Sequence, residues 1–124
     1  MSSKDAGLSF LCLGTGRGAT AVYDGEPSSA ISLRMNGHDV LLVDIGFGVV
    51  QACKRWLGAI PDTILVTHNH SDHAGELPVV LAAEAAAGRR LRVVAEPAVG
   101  VRLKAHRLHE LESTGEPLAA FCDW

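Results

Sequence analysis

The chain has 124 residues, of which 48% are hydrophobic and 20% are charged, and its formal net charge is -3. This composition excludes a disordered or fibrous chain. The sequence also lacks the run of basic residues that is typical of a nucleic-acid groove. Its length suits a single core, and no boundary signal divides residues 1–124. The three cysteines form no Cys-x-x-Cys pair, which disfavours a disulfide framework and a thiolate zinc knuckle. Residues 1–7 lack the apolar core of a signal peptide and no stretch is long enough to span a bilayer, so we expect a soluble cytoplasmic protein.

The first half of the chain predicts three strands without a helix. The apolar run Leu8–Leu13 predicts a buried strand that enters a flexible turn at Gly14–Gly18. Apolar and polar side chains alternate over Ala30–Met35, which predicts a half-buried strand whose apolar face points to the core. The pair Asn36–Gly37 is a tight-turn signal, and Val40–Val43 is continuously aliphatic. These last two strands are therefore expected to form a hairpin whose second strand is buried on both faces.

The second half predicts alternating helices and strands. Apolar residues recur at helical spacing over Gly48–Leu57, and the strand Thr63–Val66 follows. The Ala-rich stretch Leu77–Ala87 predicts a second helix, Leu91–Ala95 a fifth strand, and Pro97 opens a third helix that runs to about Glu112. The apolar ending 117–124 has the composition of an interrupted strand.

Four side chains that can bind a metal ion lie within one short segment after the fourth strand: His68, His70, Asp72 and His73. Imidazole and carboxylate are ligands that zinc-class ions accept, and residues two apart at a strand end point the same way. His68 and His70 can therefore hold one ion together, while Asp72 and His73 can turn toward a second. The alternative, four solvated loop residues, does not explain why they are packed after a buried strand.

Two motifs resemble those of the metallo-β-lactamase superfamily. The segment Thr67–Gly75, His-x-His-x-Asp-His-Ala-Gly at its centre, looks like the ligand signature, and Asp44-Ile45-Gly46 resembles the upstream Asp-x-Gly motif. Four further segments, which are less specific, resemble sequences of the branch that contains the tRNA 3′-processing endonuclease and related phosphodiesterases. These features are Leu11–Gly16, the Pro27-Ser28-Ser29 segment, Gly46-Phe47-Gly48 and Leu77-Pro78.

The resemblance implies an αββα sandwich, of which this chain covers the first half. It further implies His68 and His70 on one ion and Asp72 and His73 on another, with Zn²⁺ favoured and Mn²⁺ or Fe as alternatives. Asp44 would not itself bind the ions. It would orient residues 67–73, which we call the ligand loop, through hydrogen bonds. An Asp44 that caps the following helix is an equally favoured interpretation. In phosphodiester-cleaving members, the carboxylate at Asp72 would also help to transfer protons.

The implied activity is metal-dependent hydrolysis by an activated water, with a phosphodiester as the first expectation for the substrate. A lactonase, thioesterase or β-lactamase on the same scaffold is the enzymatic alternative. Nucleic acid as a substrate is possible but unsupported, because we find no extra tRNA-binding arm in the sequence.

The family completes its site with later ligands that this chain lacks. His106 and His109 follow the motif, but the charged residues around them favour a solvated helix face over a role as ligands. Half a sandwich leaves one sheet face uncovered, so we expect either a piece of a longer hydrolase or two copies that associate. A non-catalytic, self-associating metal-binding fragment is therefore the third hypothesis.

Overall fold

One six-stranded sheet organises the computed structural model, which describes residues 7–124. The strands lie in chain order, with β1 to β3 antiparallel and β3 to β6 parallel. Their bounds are β1 Leu8–Gly14, β2 Ala30–Met35, β3 His38–Val43, β4 Thr63–Val66, β5 Leu91–Ala95 and β6 Cys122–Asp123. The first five agree closely with the strands predicted from the sequence, and β6 lies within the interrupted apolar ending.

Within residues 7–124, six helices connect the strands: α1 Thr20–Asp24, α2 Val49–Trp56, α3 Ser71–Ala74, α4 Leu77–Ala86, α5 Pro97–His106 and α6 His109–Glu112. A 3-10 turn at Leu118–Ala120 precedes β6. Helices α2 and α4 confirm the predictions for those segments. Helix α1 was not predicted, because it buries no residue and so leaves no apolar period in the sequence.

The turn between β2 and β3 is the predicted hairpin turn. Asn36 and Gly37 have φ values of 50° and 83°. Positive φ at both central residues matches the twist of a two-residue hairpin turn, and Asn and Gly tolerate it best. This turn fixes the register in which β2 and β3 pair.

One face of the sheet is covered by helices. Leu11, Ser32, Leu42, Ile64 and Val93 are consecutive partners across five strands, and all but the edge residue Leu11 are buried. Helices α2, α4, α5 and α6 add their buried side chains to the same core. An α layer therefore packs on a β layer, as expected for half of an αββα sandwich.

The opposite face carries apolar side chains that no helix among residues 7–124 buries. Cys12, Ile31, Val43, Leu65 and Val94 form the matching row on this face, and each is half-buried or exposed. We call this surface the open face.

The prediction of burial was wrong for β1 and β2, and also for β3, which is not buried on both faces because Val43 lies half-buried on the open face. Phe10 of β1 is 71% exposed, and the apolar residues Ile31 and Met35 of β2 lie on the open face while the polar Ser32 is buried. A period-two pattern shows which residues share a face but not which face the helices cover.

The helix predicted from Pro97 to about Glu112 is broken, and this prediction was also wrong. The amides of Arg107 and Leu108 both donate to the carbonyl of Leu103, which ends α5 before α6 begins. In an unbroken helix Leu108 would lie about 140° from Leu103 around the axis. The break lets Leu103 and Leu108 both reach full burial in the core.

Among the helices in the described part of the chain, none combines the length and apolar character needed to cross a membrane.

Candidate metal centre

The candidate ligands lie where two parallel strands end side by side. Asp44 follows β3 and the segment 67–73 follows β4, so both leave the same edge of the sheet. This edge is where α/β folds form their binding crevices. The amide of Asp44 donates to the Leu65 carbonyl at 2.8 Å, and the amide of Ile45 donates to the His73 carbonyl at 2.8 Å. The backbone itself therefore joins the two segments.

The Asp44 carboxylate is buried and holds the ligand loop at both ends. Oδ1 accepts the Thr67 amide at 2.7 Å, while Oδ2 accepts the Thr67 hydroxyl at 2.7 Å and pairs with Nδ1 of His73 at 2.8 Å. Asp44 has φ 67°, a left-handed conformation that Asp and Asn tolerate better than most residues. These are the contacts that an orienting residue requires.

The alternative role for Asp44, capping helix α2, is not what the structure contains. The carboxylate of Glu76 accepts the amides of Gly48 and Val50, each at 2.9 Å. Glu76 also donates its own amide to the Ile45 carbonyl. The segment after the ligand loop therefore caps α2 and leaves Asp44 free for the loop.

The hydrogen bonds of Asp44 fix the tautomers of two histidines. A carboxylate can only accept, so Nδ1 of His73 carries the proton. The Thr67 hydroxyl gives its one proton to Asp44 and therefore accepts from Nδ1 of His68 at 3.0 Å. In the neutral form of each ring, Nε2 is then the nitrogen with the free lone pair, and this is the nitrogen that can bind a metal ion.

The four candidate ligands are brought together. The ring centroids of His68 and His73 lie 3.8 Å apart, and those of His68 and His70 lie 4.7 Å apart. Oδ2 of Asp72 lies 3.4 Å from Nε2 of His73 and accepts the amide of Gly18 at 3.1 Å. Three imidazoles and one carboxylate thus share one small volume.

Within residues 7–124, no three His, Cys, Asp or Glu side chains are arranged so that they could hold a metal ion as they stand. The planes of the His68 and His73 rings are tilted by 41° to each other. The donor types, their proximity and the two fixed tautomers nevertheless fit a zinc-class ion.

Gly46, the last residue of the Asp-x-Gly motif, is required by a close approach of the backbone. A Cβ at this position would overlap the carbonyl group of Asp72 and come within 2.9 Å of the Ser28 Cβ. The glycine thus lets the segment after β3 pass directly beneath the ligand loop.

A cavity of about 480 Å³ opens beside Asp72 and His73. Its other walls come from the glycine-rich turn, which includes Arg17, and from Ser29 and the open face of β1 and β2. This volume is in the range of small-molecule sites.

Two contacts with the ligand loop were missed at the sequence level. One is the amide of Gly18, which donates to the Asp72 carboxylate, and the other is the guanidinium of Arg107, which donates to Asn69. Neither carries a motif that could have revealed it. His106 and His109 are exposed, as expected for residues on a solvated helix face.

The sequence was compared with known proteins. A sequence profile described as the Metallo-beta-lactamase superfamily matches residues 23–109. The chain belongs to this superfamily. Its members are generally hydrolases that bind divalent metal ions, often zinc. No curated protein sequence matches the chain.

Two solved structures share the fold of this chain. The short form of human tRNase Z has 24% identity and a TM-score of 0.59 over 94% of this chain and 43% of its own. The metallo-beta-lactamase fold protein YhfI from Bacillus subtilis has 16% identity and a TM-score of 0.56 over 94% and 42%. The chain therefore spans less than half the length of either structure, and the expected fold class is confirmed.

Proposed function

We propose that this chain carries the ligand loop of a metal-dependent hydrolase that acts on phosphodiester-type substrates. The observation that carries the proposal is the gathering of three imidazoles and one carboxylate, with Asp44 behind them, at the carboxyl end of β4. His68 and His70 would hold one ion, and Asp72 and His73 a second. Bound Zn²⁺, or Mn²⁺ or Fe, would supply a Lewis acid that activates water and stabilises developing negative charge.

The protein's own residues prepare this site. Asp44 and Thr67 keep the protons of His68 and His73 on Nδ1, so that Nε2 of each ring is available. The Gly18 amide holds one oxygen of Asp72, which leaves the other oxygen able to bind or to take up a proton.

An anionic substrate is supported by the charge beside the site. Arg17 lines the same cavity as Asp72 and His73, and a guanidinium binds phosphate oxygens well. A tRNA-processing enzyme among the structural neighbours, tRNase Z, supports the same substrate class. Lactones, thioesters and β-lactams are the alternative substrates on this scaffold.

We further propose that residues 1–124 correspond to the first half of a metallo-β-lactamase domain. Support comes from the 94% coverage of this chain against 43% and 42% of the two structures. The apolar open face is a surface that a second half, or a second copy of the chain, would cover. The mass of the purified chain in solution distinguishes a monomer from a dimer.

Elemental analysis of the purified chain tests the metal proposal. We expect one or two zinc-class ions per chain, and a large loss of metal in His68→Ala. His106→Ala removes an exposed histidine outside the cluster and should keep the metal content of the parent. Equal metal in both variants, or none in the parent, would contradict the proposed ligand loop.

Hydrolysis of bis(p-nitrophenyl) phosphate, measured beside a thioester, a lactone and a β-lactam, tests the substrate class. We expect turnover of the phosphodiester that depends on added zinc or manganese and is lost in His68→Ala. Arg17→Gln should raise KM for the phosphodiester more than it lowers kcat. Preference for a neutral acyl substrate would overturn the phosphodiester assignment.

A further inference from the structure

The break between α5 and α6 places one arginine against the ligand loop. Arg107 is the first residue after α5, with φ -130° and ψ -43°, which is outside the helical range. Leu103 and Leu108 are both fully buried, so the backbone on either side of the break is fixed in the core. The half-buried Arg107 side chain therefore leaves a rigid point of the α layer.

Three hydrogen bonds connect the guanidinium to the middle of the loop. Nε of Arg107 donates to Oδ1 of Asn69 at 2.7 Å, and Nη2 donates to the backbone carbonyl of Asn69 at 2.8 Å and to Oγ of Ser71 at 3.4 Å. Among residues 7–124, no carboxylate forms an ion pair with Arg107. The donors of this fork are therefore directed to the loop, where a planar guanidinium makes charge-assisted bonds with defined geometry.

The positions of these contacts complement those of Asp44. Asp44 holds Thr67 and His73, the two ends of the loop. Asn69 lies between His68 and His70, and Ser71 begins the short helix that carries Asp72 and His73. The ring of His70 touches the edge of His68 but has no hydrogen bond of its own among the described residues. The middle of the loop thus depends on Arg107.

We propose that Arg107 is a positioning residue that fixes Asn69 and Ser71 and thereby sets the orientation of His70 and Asp72. The metal-binding part of this inference rests on the proposed function. The ordering of the loop by Arg107 does not, since it is a property of the metal-free chain.

Arg107→Met keeps the length of the side chain and removes every donor. Amide hydrogen exchange in the metal-free protein should rise at residues 73–75, whose amides donate to the carbonyls of His70 and Ser71, by at least about ten-fold, the effect of one hydrogen bond to a charged group. Exchange in β4 and α2 should stay unchanged. Arg102→Met is the matched control, because Arg102 is an exposed arginine of α5, the helix that ends just before Arg107. Equal exchange at 73–75 in the two variants overturns the proposal.

Arg107→Lys and Asn69→Ala keep the test decisive if Arg107→Met does not fold. Lysine restores a charged donor but not the two-pronged fork, so the exchange rates at 73–75 should fall between those of the parent and Arg107→Met. Asn69→Ala should raise exchange at 73–75, and adding Arg107→Lys to it should have less effect than in the parent. Full additivity of the two changes contradicts a shared contact.

Zinc affinity, measured by competition with a chromophoric chelator, then separates the two proposals. We expect Arg107→Met to weaken zinc binding by about 10- to 100-fold, as for other residues that orient ligands, and Arg102→Met to leave it unchanged. A parent chain that binds no zinc contradicts the proposed function, while the exchange result still decides whether Arg107 orders the loop.

Discussion

Replacing Asp44 by asparagine separates its charge from its backbone conformation. Asn accepts positive φ at least as well as Asp, so the value of 67° is no obstacle to the variant. With its oxygen toward the Thr67 amide, the new NH₂ group faces Nδ1 of His73, and that ring must move its proton to Nε2. With the amide flipped, NH₂ faces the Thr67 N–H. In the first orientation the Thr67 hydroxyl loses the oxygen that accepts its proton, and in the second two N–H donors face each other. Either loss costs about 1–3 kcal/mol of unfolding free energy.

The tautomer change carries the functional consequence. A proton on Nε2 of His73 removes the lone pair that the proposed ligand requires, so zinc affinity should fall by about 10- to 100-fold. Urea unfolding of the metal-free chain measures the first effect, and chelator competition measures the second. Asp24→Asn, an identical change at an exposed helix residue, is the control. An Asp44→Asn chain with the stability and zinc affinity of the parent would refute this reasoning.

Two further predictions concern packing. Gly46→Ala should displace the Asp72 carbonyl, so the variant should lose at least about 2 kcal/mol in urea unfolding; unchanged stability would show that the two segments can separate freely. A thiol reagent at pH 8 should label Cys12 alone in the folded chain and all three cysteines in denaturant, because burial raises the pKa of Cys53 to about 12 and of Cys122 to about 11. Since the fold favours the neutral thiol of Cys53, its contribution to stability is complete below pH 9.0 and is lost as the pH rises toward 12, a loss that Cys53→Ala should lack.

The strands were predictable because their residue patterns are local. Thr63–Val66 and Leu91–Ala95 are short aliphatic runs bounded by turn residues, and the structure gives them the same bounds. The pair Asn36–Gly37 likewise predicts a two-residue hairpin turn from the two residues alone. The candidate metal ligands within His68–His73 could also be predicted from the sequence, because all of them lie in one short segment.

Long-range choices were not predictable. Which face of β2 the helices cover depends on elements far along the chain, so the burial of Ser32 in place of Ile31 could not be read from alternation. The break after α5 arises because Leu103 and Leu108 both enter the core, a tertiary effect that overrides helical propensity. Arg107 therefore looked like one more charge on a solvated helix, and its contact with Asn69 was missed.

The bonds that hold the ligand loop also determine when it can form during folding. They join Gly18 to Asp72, Asp44 to His73 and Asn69 to Arg107, pairs that lie 54, 29 and 38 residues apart in sequence. Each bond closes a long loop of chain. The conformational entropy of that loop is therefore lost before the contact contributes any stabilising free energy. An ordered ligand set should therefore appear late, after the parallel strands have paired. In a refolding experiment, the appearance of zinc binding would mark completion of the native topology, because a partly folded chain offers the ion only a flexible His-rich peptide.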